Sequence, residues 1–124
     1  MRALFIIIFV SIIFSACTSE NNFVAQGKVL FNKKHIGKNK VIGCVSCHSV
    51  NPGQIIIGPS LAGLKLRAPY LVEGESAKEY IRNSIINPDA YIVNGFLPAI
   101  MFPHYSQELS KEELLALIAY LSQL

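Results

Sequence analysis

Two stretches of the chain carry apolar residues at helical spacing, and each is introduced by the same polar signal. Ser76 followed three residues later by Glu79 is a capping box. Tyr80, Ile81 and Ile85 then supply an apolar face, and Asn87-Pro88 stops it, so the spacing predicts a helix over 76–86. Ser110 with Glu113 repeats the signal, and Leu114, Leu117, Ile118 and Leu121 give the stripe of a terminal helix. A shorter segment, Phe23 to Asn32, places Phe23, Gly27, Leu30 and Phe31 on one side. Lys33 to Gly43 is polar and basic and reads as a loop. Asn51-Pro52-Gly53 is a turn, Ile55 to Ile57 a brief apolar run, and Gly58-Pro59-Ser60-Leu61 opens an irregular stretch reaching Gly74. Tyr91 to Gln107 has two prolines, a glycine and no period, and reads as an ordered loop. No strand alternation and no internal repeat is visible. The pattern predicts an all-α layout of three to five helices joined by long loops, and such loops need something to wrap.

The first residues follow a different logic. Arg2 precedes an apolar run from Ala3 to Phe14 broken only by Ser11, and small residues Ser15 and Ala16 stand before Cys17. One positive charge, a short apolar core and a small-residue cleavage site describe a secretory signal. The run is short for a membrane span, which takes about 20 apolar residues. Phe14-Ser15-Ala16-Cys17 resembles a bacterial lipobox, in which the cysteine is lipidated and becomes the first mature residue. The expected division is a lipoprotein signal over 1–16, a lipidated tether over 17–22 and one folded domain over 23–124. Removing the signal takes away Arg2 and no acid, lowering the formal charge from +3 to +2. No long basic helix or aromatic interleaving of lysines is present, which argues against nucleic acid as a partner.

Cys44-Val45-Ser46-Cys47-His48 reads as a covalent c-type haem attachment site. Two thiols three apart can each add to one vinyl group of a porphyrin, and the next side chain then lies under the iron as an axial imidazole. With Cys17 for lipid, this accounts for all three cysteines. A zinc site would need further ligands at short spacing, and His35 and His104 are far apart. A thioredoxin-like dithiol would need a strand–helix–strand setting, which the pattern lacks. No nucleophile elbow, phosphate loop or useful carboxylate pair appears. A haem would also supply apolar volume that a domain of this size needs.

From residue 23 to the end, the chain resembles a small bacterial monohaem cytochrome c of the class I, mitochondrial-cytochrome type. Gly27 and Phe31 match the glycine and aromatic residue of that family's first helix, and Tyr120 the aromatic residue of the helix crossing it. Gly58-Pro59-Ser60-Leu61 is similar to the family's G-P-x-L segment. The stretch Tyr80 to Pro88 and Gly95-Phe96-Leu97-Pro98 most resemble cytochrome domains that belong to or serve terminal oxidases. The resemblance implies a cytochrome c fold wrapped around one covalent haem c held by Cys44 and Cys47. His48 and Met101 would be the axial ligands, with the Pro59 carbonyl accepting the Nδ1 proton of His48. A bond at Nδ1 orients the ring, leaves Nε2 for iron and raises ligand basicity. Met101 is the only methionine besides the initiator, and His35 and His104 are expected to be loop or surface histidines.

Two departures stand out. The family places proline directly after the methionine, whereas Phe102 intervenes here before Pro103. The gap from Phe31 to Cys44 is also longer than usual and carries Lys33, Lys34, Lys38 and Lys40. With Lys28, five of the ten basic residues after the signal precede the haem motif, while every acid except Glu20 lies at or after Glu73. A solvated charged loop accounts for this, as does a basic rim that steers an acidic redox partner or rests on anionic lipid. The expected protein is a lipid-tethered one-electron carrier on the outer, periplasmic face of the cytoplasmic membrane. Its partners would be a quinol-oxidising complex or dehydrogenase on one side and a terminal oxidase or reductase on the other. The competing expectation is a fixed haem c subunit of a multi-subunit oxidoreductase.

Overall fold

A computed structural model describes residues 20–124. Its first helix, α1, covers residues 20–31 of that range. Residues 20–22, expected to belong to a polar tether, are already helical. Gln26 donates one turn back to Asn22 at 3.0 Å, and Lys78 lies 3.7 Å from Glu20, so polar pairs support a turn that has no apolar face. The expected lipidation site, Cys17, lies outside the described residues.

The basic stretch after α1 is not a plain loop. It forms a hairpin of β1, His35–Ile36, and β2, Val41–Ile42, paired antiparallel with His35 opposite Ile42. Strands of two residues show no alternation, which is why the pattern missed them. A 3-10 turn over Cys44–Ser46 follows, then α2, Leu64–Arg67, and a second 3-10 turn over Ala68–Tyr70. The next helix, α3, spans Ala77–Ile86, and a 3-10 turn over Pro88–Ala90 comes after it. The one-turn helix α4, Tyr105–Glu108, begins within the stretch expected to be irregular. The chain continues into α5, Lys111–Leu121. Both expected capping boxes are formed: Ser76 Oγ accepts from Glu79 N, Ser110 Oγ from Glu113 N, and each glutamate accepts the cap residue's own amide. The fold is the all-α fold expected, with five helical segments and one small hairpin among the described residues.

Two crossings organise the core. At Gly27, α1 passes so close to α5 that a Cβ would collide with the Ala116 carbonyl and stand 2.7 Å from Tyr120 Cβ. Phe31 and Tyr120 meet there with ring centroids 5.6 Å apart. Helix α3 packs against α4 and α5. Leu117, Phe31 and Ile81, one from each of α5, α1 and α3, are fully buried at the centre. Among the described residues no helix is long and apolar enough to cross a membrane.

Candidate functional site

The site grows out of the turn at Cys44–Ser46. His48 N donates to Cys44 O at 2.9 Å, so the two cysteines and the histidine share one tight turn. Cys44 and Cys47 are both free thiols. Burial pushes the Cys44 thiol up to about 11; a backbone hydrogen bond opposes this and the neighbouring Cys47 adds to it. At neutral pH that sulfur therefore keeps its proton.

His48 faces the next loop. Its Nδ1 lies 2.9 Å from Pro59 O. A carbonyl can only accept, so Nδ1 carries the proton and Nε2 the lone pair. Burial lowers the His48 pKa and so favours the neutral ring, partly opposed by the bond to Pro59. Gly58 makes the approach possible: a Cβ there would collide with the ring and sit 2.8 Å from Nδ1.

A dense net holds this loop. Cys47 O accepts from Ile57 N at 3.2 Å and Gly58 N at 2.8 Å. Ser49 Oγ donates to Gln54 Oε1 at 2.7 Å and accepts from Asn51 N, while Ser60 Oγ donates to Asn51 O. Arg67 closes it from α2, donating to Ser60 O at 2.6 Å and to Ala62 O. Sequence reading missed Arg67 and Gln54, because hydrogen bonds that close a loop leave no periodic trace.

On the other approach, Tyr105 is buried and its hydroxyl donates to Ile42 O at 2.7 Å, tying α4 to the strand just ahead of Cys44. Burial raises its pKa well above the ordinary tyrosine range, with smaller contributions from Cys44 and Cys47, so the hydroxyl remains a donor at any physiological pH. The hairpin is pinned to the same helix. Asn39 N and Nδ2 donate to the two Glu108 carboxylate oxygens at 3.0 and 2.9 Å, and Lys38 N donates to Glu108 O. Gly37, at φ +74, fits against Glu108, where a Cβ would stand 2.9 Å from the Glu108 Cβ.

Met101 is partly buried and packs against the core, in the segment between α3 and α4. The intervening Phe102 meets Tyr105 at 5.0 Å between centroids, in an edge-on arrangement. His104 is exposed at the start of α4 and His35 is exposed on β1. The structure thus brings Cys44, Cys47, His48 and Pro59 together through hydrogen bonds and places Met101 on a separate, core-packed segment.

The donor set fits a covalent haem: two free thiols on one turn, and a neutral imidazole whose Nδ1 is committed and whose Nε2 is free. Ile55, Ile56 and Ile57 beside that histidine, and Leu97 and Ile100 on the Met101 segment, are apolar and largely exposed. Such surfaces suit the flanks of an apolar ring. Compared with known protein families, residues 24–124 match the model described as Cytochrome c. No curated protein and no solved structure matches the chain.

Proposed function

Since the chain belongs to the cytochrome c family, whose members bind haem c covalently and transfer electrons, we propose that it is a membrane-tethered, one-electron carrier of a respiratory chain. One observation carries the reading at the site: the Nδ1 proton of His48, one residue from Cys47, is committed to Pro59 O at 2.9 Å, which leaves Nε2 for a metal. Cys44 and Cys47 would each form a thioether by adding S–H across a vinyl group. His48 and Met101 would hold the iron. The bound group supplies Fe(III)/Fe(II) cycling, and a methionine thioether favours the ferrous form relative to a second histidine. The chain's own work is to fix the imidazole through Pro59 and Gly58, keep the Cys44 turn in place through Tyr105, and exclude water with the packing around Phe31, Ile81 and Leu117.

Tethering rests on the lipobox-like run ending at Cys17. For partners, the hairpin offers Lys33, Lys34, Lys38 and Lys40, all exposed and none in an ion pair with a described residue. Its pinning to Glu108 and its direct lead into Cys44 support docking of an acidic redox protein beside the haem motif. A quinol-oxidising complex or dehydrogenase as donor and a terminal oxidase or reductase as acceptor fit this role.

The test is a pyridine haemochrome spectrum of protein purified from a host with a cytochrome c maturation system. A c-type spectrum with haem retained after denaturing electrophoresis is expected. A b-type or haem-free product overturns the reading. For the anchor, metabolic labelling with a fatty acid should mark the parent and not Cys17→Ala; equal labelling of both removes Cys17 from the proposal.

A further inference from the structure

The Met101 segment turns on one strained residue. Ala99 has φ +58, in the left-handed region that a Cβ disfavours. It follows Pro98, and Leu97-Pro98-Ala99-Ile100 has the order of a type II turn, with proline second and a left-handed residue third. That third position favours glycine or asparagine, not alanine. Strained backbone of this kind persists only where surrounding structure enforces it.

A side chain from another element supplies the enforcement. Asp89 Oδ1 accepts the Ala99 N–H at 2.9 Å across ten residues. Asp89 sits in the turn Pro88–Ala90, which directly follows α3; Pro88 is buried, and so are Tyr80, Ile81 and Ile85 of that helix. The carboxylate is therefore presented from a fixed base, and an ionised acceptor makes the stronger kind of hydrogen bond. At the other end of the segment, Phe102 rests edge-on against buried Tyr105. Met101 lies between these two anchors.

We propose that Asp89 is a positioning residue for Met101: by gripping the Ala99 amide it holds the left-handed turn that sets the chain direction two residues ahead of the thioether. Without the grip, Ala99 relaxes to negative φ and the methionine loses its aim. The inference rests on Met101 being the axial ligand opposite His48.

The experiment uses haem-loaded protein as the parent, Asp89→Ala and Asp89→Asn. Two readouts are taken in the ferric state: the red absorption band that methionine–iron ligation gives in this family, and affinity for added imidazole, which competes with methionine for iron. D89A should show a weakened band and about tenfold tighter imidazole binding. D89N should stay within about threefold of the parent, because its amide oxygen still accepts from Ala99 N–H. A D89A protein with the parent's band and imidazole affinity overturns the proposal, even if it melts earlier, since that is a structural effect only. So does a D89N protein as impaired as D89A. A parent with no methionine–iron band overturns the ligation reading itself, and the role of Asp89 falls with it.

Discussion

The two loops that carry the proposed axial ligands are built in opposite ways. Between Cys47 and Ala62 the chain is laced to itself: Cys47 O takes two amides, Ser49, Asn51 and Gln54 bond one another, and Arg67 reaches in from α2. Between residues 92 and 103 two hydrogen bonds serve a stretch of similar length, Phe96 N to Val93 O and Ala99 N to Asp89 Oδ1. That stretch gains its order from side chains, chiefly Met101 and Phe102 against the core. Free energies of local opening follow such differences in bonding and burial. His48 thus sits on a loop closed by many hydrogen bonds, Met101 on one held by packing and the single grip of Asp89 on Ala99.

The strongest way to break the contrast is at its rigid end. Gly58→Ala places a methyl where the His48 ring lies, without any conformational strain to blame, so its effect is steric. We expect a loss of about 3 kcal/mol in denaturant unfolding, the upper range for overpacking, and a fall in haem incorporation. Unchanged stability and incorporation would mean that the ring moves freely, contrary to a rigid loop. Arg67→Ala should come next. It removes two bonds to loop carbonyls from a charged donor and should cost about 2 kcal/mol. Its matched control on the other loop is Asn94→Ala, at an exposed position, whose loss should stay within about 0.5 kcal/mol. Equal costs for the two would erase the distinction.

The smallest effect is electrostatic. Hydrogen bonds from the Asn39 side chain and backbone hold the Glu108 carboxyl below its usual pKa, with Lys38 and His104 assisting. A carboxyl depressed in the folded state stabilises it above the unfolded pKa, here about 4.5, and that contribution is lost as pH falls through the lower folded value. Asn39→Ala should therefore lower stability at neutral pH slightly and flatten the acid limb of the stability curve below about 4.5. An acid limb parallel to the parent's would remove Asn39 from the linkage.

What could be read from the chain divides along the same line. Ser76 and Ser110 announce α3 and α5 because a capping box is local, and Gly27 and Pro59 stand in short runs that keep their spacing. The hairpin could not be read, since its strands are too short for any period and its anchor, Glu108, lies 69 residues from Asn39. Asp89 was invisible for a related reason: a carboxylate in a turn is ordinarily solvated, and only the fold brings Ala99 to it. Tyr105 sat in a stretch with prolines, where a single helical turn leaves no signature.

The close passage at Gly27 bears on the order of events as the chain assembles. Contact between residues 27 and 116 closes a loop spanning most of the domain, and contacts so distant along the chain are slow to form. The Cys44–His48 turn, by contrast, is complete within five residues. Thiols and imidazole can therefore be presented to a haem while the two end helices are still apart, and docking of α1 on α5 becomes the final closing step. A conservative change at the crossing, Phe31→Leu, should then raise the unfolding rate and leave folding nearly untouched; slowed folding would put the crossing first.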